Sequence, residues 1–406
     1  MFSAGQPQPQ HRRTTPPNHH RAARRPNLLA RMRGPPGHAA SRASSPSVAA
    51  PAAAPNPTPT RPGVAGDVPC VASAEPLFAP FSLNSGVELQ HRLVLAPLTR
   101  CRAGPGNTAS PSSAVYYGQR AAAPGSLLIS EASPVSQQAC GYPNTPGLWT
   151  QEQVEAWKPV VRAVKERGSV FAAQLWHVGR ASCPLYQPDE AAPVSASAIA
   201  IPPPWTVYGP QGEGPFPYPV PRPLAVPEID AVVDDFVAAA QNAVFGAGFD
   251  MVEIHAANGY LISQFLSDGS NRREDEYGGP PRNRARLLLR VAQAVADALG
   301  SASKVGVRLS PFNEFLACVE TRPLETYGHA VSELLKIRAE GDASNASLSY
   351  LHFVEPRLDA TFEPRDTDLS LAPFTRMARE AGVAVITAGG WEPEAAAEAV
   401  RTGDED

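Results

Sequence analysis

The chain has 406 residues, 43% of them apolar and 18% charged, with a formal net charge of −4. That length admits one large α/β barrel or two ordinary domains, and no apolar run is long enough to cross a membrane as a helix. Its five cysteines (Cys70, Cys101, Cys140, Cys183, Cys318) lie far apart and form no C-x-x-C pair, which argues against an iron–sulfur or structural zinc site and fits a chain kept reduced.

Charge is unevenly placed. Residues 1–75 hold nine arginines, no lysine, and only Asp67 and Glu75 as acids. The remainder is mildly acidic, so no nucleic-acid binding is expected of it. Up to Ala74 the chain is rich in Pro, Ala, Ser and Arg and nearly lacks aromatics. Such a segment buries too little apolar area to offset its chain entropy, so 1–75 is expected to be a disordered tail. Arg-rich, Ser-containing and acid-poor is also the composition of an organelle transit peptide. It points to a plastid, with mitochondrion or cytoplasm as alternatives; a plain disordered tail, or upstream sequence wrongly included, is the lesser reading.

From Pro76 the texture changes, and 76–406 reads as one domain. His91–Thr99 is predicted as a first strand ending at a proline, Tyr116–Arg120 as part of a first helix, and Leu127–Ala132 as a buried strand. Thr150 followed by Gln153 makes a capping box, Val154, Trp157, Val161 and Val164 an apolar stripe, and Gly168 a stop. Pro159 inside that helix predicts a kink. Val170–His177 is a third strand. Residues 181–223 are proline-loaded and irregular, as functional loops and lids often are. A helix over Ile229–Phe245 leads to strand Met251–Ile254. Helix Ala285–Ala298, strand Lys304–Leu309, a helix from Tyr327 to Ile337, strand Tyr350–Val354, helix Ala372–Ala381 and strand Ala384–Gly390 follow.

Seven short, continuously apolar strands alternating with helices belong to a parallel sheet covered on both faces. The expectation is a (β/α)₈ TIM barrel that stops before its eighth β/α unit. A doubly wound open sheet is the alternative, weakened because no G-x-G-x-x-G follows the first strand.

His255, Asn258 and Tyr260 crowd just past the fourth strand, the edge where ligands and chemistry sit in such folds. A lone histidine there is more often structural; two hydrogen-bonding neighbours shift the reading toward a site. Gln174 is an amide in an apolar strand and needs partners. Arg308 in another strand needs an anion or several acceptors. Asp275-Glu276-Tyr277-Gly278-Gly279 reads as a structural turn with Arg282 and Arg286 as ion-pair partners. His177 either lines a pocket or packs.

Read together, Ala96-Pro97-Leu98-Thr99-Arg100, Ser130-Glu131-Ala132, Gln174 through Arg180, Glu253 through Leu261, Asp275 through Gly279 and Val307 through Pro311 resemble the Old Yellow Enzyme family. Gly141 through Trp149 and Val354-Glu355-Pro356-Arg357 look like its 12-oxophytodienoate reductase-like branch. The resemblance covers about Pro76 to Trp391 and implies an FMN-dependent TIM barrel. Such enzymes take hydride from NADPH or NADH and reduce the C=C bond of an α,β-unsaturated carbonyl.

Position by position, the resemblance implies that Pro97, Leu98 and Thr99 line the flavin. Ala132 and Gln174 would face its pyrimidine edge, and Arg308 the side where reduced flavin gathers charge. Gly389 and Gly390 would let the backbone approach the phosphate. His255 and Asn258 would bind the substrate carbonyl, Tyr260 would donate the proton, and Arg357 would touch substrate. The partner implied is a small enone, for a monomer or homodimer without nucleic acid or membrane. The family's eighth strand adds to the phosphate site, so its lack implies weak flavin retention. A flavin-free binding protein is the competing reading, and no His/Asp/Glu cluster suggests a metal-dependent barrel enzyme instead.

Overall fold

The computed structural model describes residues 72–361 and 363–403. The transit-peptide-like tail lies outside the described residues, apart from the start of a 3₁₀ turn over Ala72–Phe78.

Seven parallel strands form the centre: β1 (Val94–Leu95), β2 (Leu127–Ile129), β3 (Val170–Trp176), β4 (Met251–Ala256), β5 (Val305–Leu309), β6 (Tyr350–Val354) and β7 (Ala384–Ala388). Each pairs in parallel with its sequence neighbour. That order is a barrel wall, and it removes the open doubly wound sheet. A hairpin of Phe81–Ser82 and Glu88–Leu89 closes the N-terminal end, placing Leu83 and Leu89 against Leu127, Met251 and Tyr350.

Strand alternation divides two apolar layers. Val252, Ile254 and Ala256 of β4 face the helices together with Phe171, Leu175, Val307 and Phe353. Met251 points inward with Ala172, Tyr350 and Ala384. The longer helices are α1 (Pro111–Arg120), α2 (Gln151–Lys165), α3 (Val226–Gln241), α4 (Arg286–Leu299), α5 (Pro323–Leu334), α6 (Ala372–Glu380) and α7 (Pro393–Thr402). The capping box at Thr150 and Gln153 is present, and α2 runs through Pro159 without a break. Gly300 ends α4 at φ +70°, where a side chain would be strained.

Three expectations are corrected. The first strand is two residues long, not a run over 91–99. His91 is hydrogen-bonded to Ser126 and the Arg92 N–H to the Leu77 carbonyl, while Pro97 has no N–H to extend the ladder. The α3 helix begins at Val226 and ends in a π-turn over Asn242–Ala247. In the Asp275 turn the partner is Arg273, at 2.5 Å, not Arg282; Arg286 reaches Glu276 at 3.8 Å.

Among the described residues no strand lies between β1 and β7. A cavity of about 650 Å³ separates them, lined by Leu89, Val94 and Leu127 on one side and Val385, Ile386 and Trp391 on the other.

The segment over 181–223 is tied down by buried arginines. Arg180 donates to the carbonyls of Ile199, Leu316 and Ala317, and Arg273 to those of Ala196 and Leu224. Two short strand pairs, Val194–Ser195 with Arg222–Pro223 and Thr206–Val207 with Phe216–Pro217, organise the rest.

A methyl group at Gly306 would run into the Tyr350 ring inside the barrel. Gly306→Ala is expected to cost about 1–3 kcal/mol, as overpacking does, seen as a lower midpoint in urea unfolding. Glu131, beside β2, accepts the Arg100 N–H at 3.0 Å. Burial pushes its carboxyl up to about 7. The unfolded chain therefore loses this proton first as pH rises, so the group's contribution to stability falls between its unfolded value and about 7. Glu131→Gln should gain on the unsubstituted protein by roughly 1–3 kcal/mol between pH 5 and pH 8 in denaturant titrations; a pH-independent difference would contradict the assignment.

Candidate active site

The inward positions of β3 to β6 carry the polar groups. Register sets Glu253 of β4 beside Gln174 of β3 and Gly306 of β5. One layer nearer the C-terminal end, His255 lies beside Arg308, and Arg308 beside His352. All five side chains therefore share the barrel interior.

Glu253 is the hub. Gln174 Nε2 donates to its Oε1 at 2.7 Å, and His352 Nδ1 lies 2.8 Å from its Oε2. Burial pushes this carboxyl up, but His352, Arg308 and the Gln174 hydrogen bond outweigh it and hold the group below its ordinary range. Burial in turn holds the His352 ring down, against the pull of Glu253. The state that satisfies both is an ionised carboxylate accepting Nδ1–H from a neutral imidazole. Gln174 thus finds a protein partner where the sequence suggested a cofactor edge. The Arg308 Nε is buried with no partner of its own.

His255 is also neutral. Burial drives its pKa well down, and Arg308 and His352 add to this. Its Nδ1 accepts the Ala257 N–H at 3.3 Å, so Nε2 carries the proton and is the donor.

Past β4 the chain turns sharply. Asn258 is left-handed at φ +56°, its N–H donating to Ser310 Oγ at 2.8 Å. Gly259 follows at φ +73°, where a Cβ would press on the Phe315 carbonyl. This reversal brings Tyr260 back over the strand end. Its ring lies 5.1 Å from His255 and 4.9 Å from Trp176, and its hydroxyl 3.0 Å from that of Tyr142. Trp176 stacks on His255 at 6.3 Å. Burial pushes the Tyr260 phenol well above its ordinary value, so it holds its proton at neutral pH.

The remaining expected residues sit on the same rim. Pro97, Leu98 and Thr99 follow β1, with Leu98 and Thr99 exposed. Ala132 is buried in the cluster that contains Trp176 and Tyr260. Gly389 and Gly390 follow β7 at φ +133° and +68°. Arg357, past β6, stacks on Trp391 at 3.8 Å and approaches Glu355 at 3.6 Å. His177 is buried, its Nδ1 accepting the Gly179 N–H and its pKa pushed down to about 3 by desolvation. Among the described residues no His/Cys/Asp/Glu group has metal-holding geometry.

Sequence reasoning singled out neither Glu253 nor His352, and it did not single out Trp176 or Tyr142. An acid and a histidine in the middle of apolar strands were the available signal for the first two.

Comparison with known proteins agrees with this geometry. Residues 76–406 match the NADH:flavin oxidoreductase / NADH oxidase family. Putative 12-oxophytodienoate reductase 5 of Oryza sativa subsp. japonica is 45% identical over 332 residues, 82% of this chain and 83% of the relative. 12-Oxophytodienoate reductase 1 of the same plant is 43% identical over 323 residues, covering 80% and 79%. Among solved structures, morphinone reductase superposes with a TM-score of 0.72 at 40% identity, over 81% of this chain and 84% of the other. The Old Yellow Enzyme homologue from Zymomonas mobilis gives 0.71 at 36% identity, over 81% and 86%. The chain therefore belongs to the NADH:flavin oxidoreductase / NADH oxidase family, that of Old Yellow Enzyme, on its 12-oxophytodienoate reductase-like branch.

Proposed function

We propose that the chain is an FMN-dependent ene-reductase that uses NADPH to reduce the C=C bond of α,β-unsaturated carbonyls, 12-oxophytodienoate-like enones among them. The observation that carries this reading is the convergence of His255, Tyr260 and Arg308 at the inner C-terminal end of the barrel.

The residues fit a flavin. A half-buried guanidinium whose Nε is enclosed without a partner suits the polar edge of an anionic ring system. The glycine pair at positive φ leaves backbone free to approach a phosphate. Gln174 and Arg308 would hold the ring's polar edge, Pro97, Leu98, Thr99 and Ala132 its faces and rim, and Gly389 and Gly390 the phosphate. Reduced FMN, when bound, supplies the hydride that the β-carbon of the enone receives.

The protein's own groups manage the charge that follows. Negative charge builds on the carbonyl oxygen, where the Nε2–H of His255 and the amide of Asn258 donate to it. A neutral imidazole suits this because it donates without taking the proton away. Tyr260, kept protonated by burial, then gives its proton to the α-carbon. Arg357 would contact the distal part of the substrate.

The direct test is purification. A yellow protein that oxidises NADPH only when 2-cyclohexenone or a cyclopentenone is present supports the reading; a colourless one that FMN does not turn yellow contradicts it. In stopped-flow experiments Tyr260→Phe should slow reoxidation of the reduced flavin by an enone about 10²–10⁴-fold while flavin reduction by NADPH continues. Equal loss in both half-reactions would contradict the assigned role. Arg308→Lys replaces a rigid fork with a point charge and should weaken FMN binding roughly tenfold or more, read by fluorescence titration.

A further inference from the structure

Resting on the ene-reductase reading, we infer that Glu253 is a positioning residue for the flavin: it turns the carbonyl of the Gln174 amide toward the ring's N3–H, and its charge lowers the flavin's reduction potential. It acts through Gln174 and through its field, from one inward layer below His255 and Arg308.

A carboxylate at the centre of a barrel is a costly way to fill space. Replacing such a group and its partners by well-packed apolar side chains is often neutral or stabilising. Other inward positions follow that course, with Ala172, Met251 and Ala384. Glu253, Gln174 and His352 do not, although none is more than 1% exposed. Solvent is therefore not what they serve. The layer above them carries two enclosed polar atoms without a partner, Arg308 Nε and His352 Nε2. One is a donor. The other is an acceptor, since His352 holds its proton on Nδ1 toward Glu253. Unmet buried atoms of both kinds mark a place prepared for a polar group.

The direction of each hydrogen bond follows from the charge. An ionised carboxylate only accepts. The side of the Gln174 amide that meets it must be the NH₂, and Nε2 stands 2.7 Å from Oε1 of Glu253. The Gln174 Oε1 is thereby turned away as an acceptor. An unconstrained amide can present either end; the carboxylate removes that choice. The barrel then offers a ligand an amide carbonyl from β3 and a guanidinium from β5. That pair suits an imide edge, where an N–H is flanked by carbonyl oxygens, as in the flavin pyrimidine ring.

The second consequence is electrostatic. Arg308 favours negative charge on the ring's polar edge, and Glu253, one layer deeper, opposes it. One layer is about 7 Å of strand. At that range and an effective dielectric of about 20, a unit charge shifts an equilibrium by about tenfold or more. A flavin whose reduced form is less favoured gives up its hydride to an enone more readily.

The test uses FMN-loaded protein. Glu253→Gln removes the charge and keeps the shape. Its midpoint potential, measured by dye equilibration, should rise so that reduced FMN is favoured about tenfold more, which is about 30 mV for a two-electron couple. Glu253→Asp keeps the charge and should stay near the unsubstituted value. With ¹⁵N-labelled oxidised FMN, the N3–H signal should lie downfield and exchange slowly in the unsubstituted protein. It should move upfield in Glu253→Gln, where the Gln174 amide can turn over. A carboxylate with only a structural role would change stability without moving the potential. An unchanged potential in Glu253→Gln, or a Glu253→Asp that matches Glu253→Gln, overturns the inference while flavin binding and ene-reduction stand. So does an N3–H in the unsubstituted protein that exchanges as freely as in free FMN, a result that needs no variant to fold. A protein that FMN does not turn yellow overturns the ene-reductase reading, and the role of Glu253 falls with it.

Discussion

The site depends on one buried carboxylate. An ion inside a barrel costs several kcal/mol unless its lone pairs are met and its charge is balanced. Glu253 meets this condition with Gln174 on one oxygen, His352 on the other and the charge of Arg308 nearby. Those partners come from β3, β6 and β5. The charge is therefore tolerated only when four strands are in their native register. A slip of one residue in β4 would turn Glu253 and His255 out into the helix layer and bring Val252 and Ile254 inside. The same constraint that makes the carboxylate bearable lines up the candidate catalytic face.

The second layer of order is made of arginines and carbonyls. Arg180, Arg273 and Arg284 are each largely buried, and each donates to backbone oxygens of irregular segments. Arg284 also meets Glu320 at 2.8 Å. Irregular backbone has no ladder to satisfy its carbonyls, and fork-shaped donors do it instead. This holds the 181–223 segment beside the strand ends, with Trp205 against Phe315 at 4.8 Å.

Much of this could be read along the chain. Strand and helix order, the Thr150 box and the Gly300 stop are local signals, and each appears where the pattern indicated. His255 and Tyr260 were legible because they follow a strand within a few residues, and the turn through Asn258 and Gly259 brings them together. The ion pair of Asp275 was misassigned because Arg273, two residues away, and Arg282 are equivalent choices to a reader who sees only charge and proximity. The length of the first strand was misread because its ladder is cut by hydrogen bonds to Leu77 and Ser126, contacts the local pattern does not encode.

The amino-acid order alone determined the periodicity of the strands, the caps and stops of the helices, and which residue types gather past the fourth strand. These follow from dihedral preference and from which faces can be apolar, both properties of neighbouring residues. Tertiary structure alone decided that Gln174 and His352 share one carboxylate and that the hydroxyl of Tyr142 meets that of Tyr260. Those arrangements depend on hydrogen bonds between residues 79 to 118 positions apart, and their partners become neighbours only when the barrel wall is assembled in register.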